Sequence, residues 1–181
     1  MMFRHLIYAA ALLIASPVFA DNLSFKDVVK KVEARAESTK VRRGEAVVWT
    51  LTIEILDGWH TYPTKQADPM ADSYENKIKF ANDDNVVFVG GLTEPTLIEK
   101  NEDGVKVAMV EKLGVWKRTF VVRPDAKPGK VKVPVKVTIL ACADRCLQPQ
   151  TIATEVELTV TDDPPVAVDP KYRAEVNAPR K

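Results

Sequence analysis

The sequence contains few of the residues on which enzyme chemistry usually depends. Its 181 residues include two cysteines, two histidines and seven glycines. It has no glycine-rich phosphate loop, no G-x-S-x-G nucleophile elbow and no zinc-ligand spacing. These absences argue against a nucleotide-binding enzyme, a serine hydrolase and a zinc protein. They leave the cysteine pair as the candidate for chemistry.

An excess of charge of one sign is also missing. The chain has 26 Lys and Arg residues against 25 Asp and Glu residues, a formal net charge of +1. Without a basic excess there is no electrostatic reason to bind nucleic acid or an anionic membrane surface. We therefore expect no nucleic-acid partner and no direct insertion into a membrane.

Long apolar runs are absent except at the start of the chain. Residues 6–14 are apolar, follow Arg4 and His5, and lead to the small residues Val18 and Ala20. This pattern predicts a signal peptide with cleavage after Ala20, since the run is too short to span a bilayer comfortably. We expect an exported, periplasmic protein whose two cysteines meet an oxidising environment.

Alternation of apolar and polar residues dominates the middle of the chain. It is clearest in Ala46–Ile55, where Val47, Trp49, Leu51 and Ile53 fall on the face predicted to point inward. Such alternation is typical of half-buried strands. The other predicted strands are 32–36, Lys77–Phe80, 86–89, 105–110, 115–122, 130–140 and 151–160. About eight short strands separated by glycine-containing turns predict an all-β, antiparallel sandwich.

The composition predicts one folded domain with a segment on either side. Residues 1–20 are the predicted signal peptide, and residues 21–161 hold the predicted strands. From Asp162 the chain is polar and rich in proline, so residues 162–181 are predicted to be a flexible tail.

The cysteines lie between the last two predicted long strands, in residues 140–150. An even number of cysteines in an exported chain predicts that Cys142 and Cys146 pair. Closing so small a ring stabilises a fold by about 2 kcal/mol, against roughly 4.7 kcal/mol for a ring of about 100 residues. Both a structural staple and a redox role therefore stay open. Arg145 would favour a thiolate beside it and Asp144 would oppose one, which leaves the thiol pKa undecided.

Residues 58–63 form a second candidate segment, directly after the best predicted strand. His60, the only histidine after the predicted cleavage site, is interpreted either as packing between Trp59 and Tyr62 or as a proton donor. A third interpretation is a soft-metal site for Cu(I), in which the two cysteines act with His60 or Met70. A fourth possibility is an interaction module in which the disulfide is purely structural.

These features together resemble the amino-terminal domain of the DsbD-type thiol:disulfide interchange proteins, the disulfide bond corrector family. The resemblance spans residues 32–160 and rests on the Gly44 turn, on residues 58–62, and on Cys142, Cys146 and Pro149. It implies an immunoglobulin-like sandwich whose cysteine pair cycles between dithiol and disulfide.

The resemblance further implies that Trp59, His60 and Tyr62 lie near the pair. It implies electron transfer from a membrane-embedded thiol donor to periplasmic thioredoxin-like proteins, including disulfide isomerases and factors for cytochrome c maturation. We expect no cofactor. Because the sequence shows neither membrane segments nor a Cys-x-x-Cys domain, we expect the chain to work with separate partners.

The chain departs from the family pattern at two places. Family members shield the disulfide with a loop that bears an aromatic residue, whereas the corresponding residues 98–104 are acidic and contain no aromatic. Glu102 and Asp103 are expected to tune the thiols electrostatically. The cysteine spacing is also shorter. We expect a Cys146→Ser substitution to trap mixed disulfides through Cys142.

Overall fold

The structure, a computed structural model, describes residues 23–81, 83–102 and 104–179. The predicted signal peptide, its cleavage site after Ala20, and Asp103 lie outside the described residues. Within these three ranges, none of the helices has the length and apolar character needed to cross a membrane.

Strands make up most of the described chain. In chain order they are β1 Val29–Ala36, β2 Lys40–Val41, β3 Ala46–Ile55, β4 His60–Thr61, β5 Lys77–Phe80, β6 Val86–Thr93, β7 Ile98–Glu102, β8 Val105–Glu111, β9 Leu113–Val122, β10 Gly129–Ile139 and β11 Gln150–Val160. The short helices are α1 Phe25–Val28 and α2 Arg173–Val176, with 3-10 turns at Pro69–Ala71 and Pro170–Tyr172. The single turn of α1 leads directly into β1.

Two four-stranded sheets form an immunoglobulin-like antiparallel β-sandwich, as the sequence predicts. One sheet has the order β1-β3-β9-β6 and the other has the order β2-β11-β10-β5. Neighbouring strands in these sheets are antiparallel except for the short β2–β11 pair. Because β10 and β11 are joined by the cysteine loop, the sandwich presents both cysteines at one end.

The alternating residues of the central strands form a single apolar core. In β3, Val47, Trp49, Leu51 and Ile53 are each at most 3% exposed, which confirms the predicted inward face. They pack in one cluster with the inward residues of β10 from the opposite sheet. Burying a side chain of this size stabilises the fold by about 1.5–3 kcal/mol.

A third sheet of three strands, in the order β4-β8-β7, lies at the cysteine end. Residues 98–104, which the resemblance aligns with the shielding loop of the family, include strand β7, Ile98–Glu102. It pairs with β8 from Ile98 opposite Met109 to Glu102 opposite Val105. All five residues of β7 are exposed, so the strand carries no alternating apolar signal and depends on main-chain hydrogen bonds.

The segment after β11 packs on the sandwich, which differs from the flexible tail predicted from its composition. Val176 is 5% exposed and packs with Val89 and Val121. The Gly90 N–H donates to the Glu175 carboxylate at 3.0 Å. Only single, widely spaced residues of this segment contact the sandwich. Its sequence therefore has no periodic apolar pattern from which the packing could be predicted.

Candidate functional site

The cysteine loop connects Ile139 at the end of β10 to Gln150 at the start of β11, and these two residues face each other in the ladder. Cys142 and Cys146 form a disulfide with a Cα–Cα distance of 4.0 Å. This confirms the pairing predicted from the sequence. The base of the loop is closed by the Leu147 N–H, which donates to the Ala141 carbonyl at 2.9 Å.

The two ends of the disulfide have different surroundings. Cys142 is 2% exposed and packs in a cluster with Tyr62, Ala71 and Met109. Cys146 is exposed to solvent. The disulfide therefore has one end inside the protein and one end at the surface.

Strand β4 places His60 directly beside the buried cysteine. The His60 N–H donates to the Cys142 carbonyl and the Cys142 N–H donates to the His60 carbonyl, each at 2.9 Å. Residues that exchange both main-chain hydrogen bonds in an antiparallel pair present their side chains on the same face. The location of His60 beside the cysteine loop, predicted from the resemblance, is thus confirmed. Its ring Nε2 lies 3.0 Å from the Tyr62 hydroxyl.

Two titratable side chains, His60 and Tyr62, lie beside Cys142. Partial burial lowers the pKa of His60, and Lys100 lowers it further, while Glu102 and Glu111 act in the opposite direction. Burial also raises the pKa of Tyr62 well above its ordinary value. Burial therefore disfavours the charged forms of both side chains that share this hydrogen bond.

The other predicted neighbours lie in different places. Trp59 is half-buried and packs against the core of the sandwich rather than in the Cys142 cluster. Glu102 is exposed at the end of β7, and its charge acts on His60 and Tyr62. Asp144 is exposed within the disulfide ring. The structure thus brings His60 and Tyr62 to the buried cysteine, while Trp59 packs against the core cluster, which includes Ala141 of the cysteine loop.

The residues of the soft-metal interpretation are only partly assembled. Met70 is 77% exposed, whereas its neighbour Ala71 is buried in the Cys142 cluster. The structure brings Cys142 and His60 together and leaves the Met70 side chain in solvent. Within the described ranges, no three or more His, Cys, Asp and Glu side chains form a group that could hold a metal ion.

Three buried polar side chains near the cysteines were not predicted as functional. Thr61, Gln66 and Asn76 are at most 3% exposed and are the buried polar residues of the described chain. Asn76 and Thr61 bind the main chain of Leu140, two residues before Cys142. Gln66 and Asn76 stand alone among irregular residues, so no spacing or motif in the sequence indicated their role.

The fold of this chain is similar to that of several solved structures. No family model matches the chain, and no curated protein sequence matches it. The N-terminal periplasmic domain of ScsB from Proteus mirabilis is similar with a TM-score of 0.43 and 15% identity, over 71% of this chain and 44% of that chain. The chain thus spans less than half the length of that structure.

The N-terminal domain of DsbD from Neisseria meningitidis, in the reduced form, has a TM-score of 0.46 and 18% identity, over 77% of this chain and 90% of that chain. A ScaB type I cohesin from Pseudobacteroides cellulosolvens has a TM-score of 0.37 and 12% identity, over 76% of this chain and 97% of that chain. Domains of the family predicted from the sequence are therefore among the structural neighbours, at low identity.

Proposed function

We propose that this chain is a periplasmic thiol:disulfide exchange protein. It passes reducing equivalents from a membrane-embedded thiol donor to thioredoxin-like client proteins through Cys142 and Cys146. The observation that carries this proposal is the small disulfide ring at a loop tip, with Cys142 buried and Cys146 exposed. Such a ring adds little stability, yet it presents a sulfur that a partner thiolate can attack.

The exchange balances as two successive displacements at sulfur. A thiolate of the reduced partner attacks the Cys146 sulfur, the Cys142–Cys146 bond breaks, and the Cys142 sulfur leaves with the electron pair and takes up a proton. The partner's second thiolate then attacks the mixed disulfide, so that the partner becomes a disulfide and Cys146 is released. The chain has gained two electrons and two protons, which it passes to an oxidised client by the reverse sequence.

Burial decides which cysteine is attacked. A sulfur approaching Cys142 would have to enter the cluster of Tyr62, Ala71 and Met109, whereas Cys146 is open to solvent. We therefore assign Cys146 as the cysteine that forms mixed disulfides and Cys142 as the one that resolves them. This is the reverse of the order expected from the sequence.

The neighbouring side chains support this assignment. Cys142 is 2% exposed, and burial favours the protonated thiol over the thiolate for a sulfur released there. Asp144 and Arg145 are exposed inside the ring, beside Cys146. We propose that these two residues contact the partner, with one charge of each sign available for pairing.

Capture of partners tests the proposal. The Cys142→Ser variant, expressed with its own export signal, should accumulate mixed disulfides with periplasmic thioredoxin-like proteins, because no second thiol remains to release them. The measurement is mass spectrometry of complexes that dissociate only with reductant. The Cys146→Ser variant should capture few or none, and the double variant is the control.

Two results would contradict the exchange function. One is that neither single-cysteine variant captures a thiol protein. The other is a reduction potential of the wild-type pair below about −300 mV, which is typical of structural disulfides.

A further inference from the structure

A buried amide lies behind the main chain that leads into Cys142. Asn76 is 1% exposed. Its Nδ2 donates to the Tyr62 carbonyl at 2.7 Å and to the Thr61 hydroxyl at 2.9 Å, and its Oδ1 accepts from the Leu140 N–H at 3.0 Å. The Tyr62 carbonyl needs a donor and the Leu140 N–H needs an acceptor. The Nδ2 of Asn76 must therefore face Tyr62 and its Oδ1 must face Leu140.

Thr61, in β4, completes the attachment of Leu140. It is fully buried, and its hydroxyl donates to the Leu140 carbonyl at 2.7 Å. Both main-chain polar groups of Leu140 are therefore bound by side chains, the N–H by Asn76 and the carbonyl by Thr61. These side chains connect β4 to the end of β10, where Leu140 lies beyond the regular ladder.

Four hydrogen bonds thus join the chain from Leu140 to Cys142 to its neighbours, two through Leu140 and two between Cys142 and His60. The Leu147 N–H, on the Cys146 side, bonds instead within the loop itself, to Ala141. None of these bonds uses a sulfur atom. None of them requires the disulfide, so we expect the Cys142 side to stay attached when the disulfide opens.

We propose that Asn76 and Thr61 are positioning residues that keep Cys142 buried in the reduced protein and thereby confine thiol chemistry to Cys146. This inference rests on the proposed exchange function and assigns its selectivity to two residues that do not contact a partner. A residue that only stabilises the fold would not change the relative reactivity of the two thiols.

Competitive alkylation of the reduced protein measures that selectivity. With limiting iodoacetamide under native conditions, the wild type should label Cys146 much faster than Cys142, as read by peptide mass spectrometry. In Thr61→Val, which retains the shape but loses the hydroxyl, the rate at Cys142 relative to Cys146 should rise about tenfold. The net contribution of one hydrogen bond corresponds roughly to such a factor. Thr61→Ser should restore the wild-type ratio.

Gln66 provides a matched control. It is also a buried amide, 3% exposed, but its bonds go to the main chain of Ala108 in β8 at 2.9 Å and to the Tyr74 carbonyl at 2.7 Å, and none goes to Leu140. Gln66→Leu should lower stability while leaving the alkylation ratio at the wild-type value. A shift in Gln66→Leu as large as that in Thr61→Val would overturn the proposal, because the ratio would then follow stability alone.

Hydrogen exchange in the wild type tests the same idea without a substitution, should Thr61→Val fail to fold. The Leu140 and Cys142 amides should keep their protection when the disulfide is reduced. Loss of protection at Leu140 on reduction, or equal alkylation of both thiols in the wild type, would overturn the proposal. Failure of the exchange function is seen separately, as absence of partner capture by Cys142→Ser with an unchanged alkylation ratio.

Discussion

The sandwich and the cysteine end of the molecule differ in what they bury, because the cysteine end adds polar side chains to a smaller apolar cluster. The sandwich core is a continuous apolar cluster that includes Trp49 and Leu51. The buried polar side chains of the described residues, Thr61, Gln66 and Asn76, all lie around the third sheet at the cysteine end. Each of the three binds main-chain groups of a neighbouring segment.

Apolar packing and buried hydrogen bonds determine the geometry of a region in different ways. Apolar packing stabilises the sandwich in proportion to the area that it buries, but it is not directional. A buried hydrogen bond contributes little net stability, yet it leaves a costly unpaired group if its partner moves. The sandwich therefore supplies the stability, and the buried amides and hydroxyl determine where the cysteine main chain lies.

The largest effect on stability is expected in the sandwich. Leu51→Ala removes a fully buried side chain and should lower the free energy of unfolding by about 2–5 kcal/mol. Leu113→Ala, at a leucine that is 54% exposed, is the control and should change it by at most about 0.5 kcal/mol. Urea unfolding measures both. If Leu51→Ala also changes the alkylation ratio of the two thiols in the folded state, the two regions are not independent.

A smaller effect is expected where the C-terminal segment meets the sandwich. Gly44 and Gly58 both have a positive φ, +81° and +82°, so alanine at either position is strained by roughly 1–2 kcal/mol. A Cβ at Gly44 would also lie 2.0 Å from the Val166 carbonyl oxygen, whereas a Cβ at Gly58 meets nothing within 4 Å.

Gly44→Ala should therefore destabilise the protein more than Gly58→Ala, and it should expose residues 162–179 to proteolysis. Thermal unfolding and limited proteolysis with mass spectrometry measure the two effects. Equal destabilisation with equal cleavage would show that the C-terminal segment is not held at Gly44.

The smallest effect is a dependence of stability on pH at the cysteine end. Because burial lowers the pKa of His60 below its ordinary 6.5, the contribution of His60 is fully present above that pH. It is lost as the pH falls through the lower, folded-state pKa. The melting temperature should decrease on acidification below 6.5.

His60→Gln should remove this part of the decrease, because glutamine does not titrate. Melting temperatures at several pH values between 7.5 and 5, compared for wild type and His60→Gln, are the measurement. The charged groups that act on His60 are Lys100, Glu102 and Glu111, so the comparison is made at constant ionic strength. If the melting temperatures of the two proteins fall equally with pH, His60 is not the source of the decrease.

The sequence by itself determined the sandwich and the disulfide. Strands β3 and β5 have the predicted bounds, and Trp49 lies on the predicted inward face, because apolar alternation is a local property of the chain. The Cys142–Cys146 pair followed from an even number of cysteines in a chain predicted to be exported.

Only the tertiary structure decided the features that give the two cysteines different surroundings. Strand β7 is polar and exposed throughout, so it depends on pairing with β8 and carries no apolar alternation. Cys142 is buried by residues that are distant in the chain, such as Tyr62 and Met109. The Leu140 N–H donates to Asn76, a residue 64 positions earlier. An isolated polar residue shows its hydrogen-bond partner only when the fold brings the two together, because a hydrogen bond depends on distance and direction, not on periodicity.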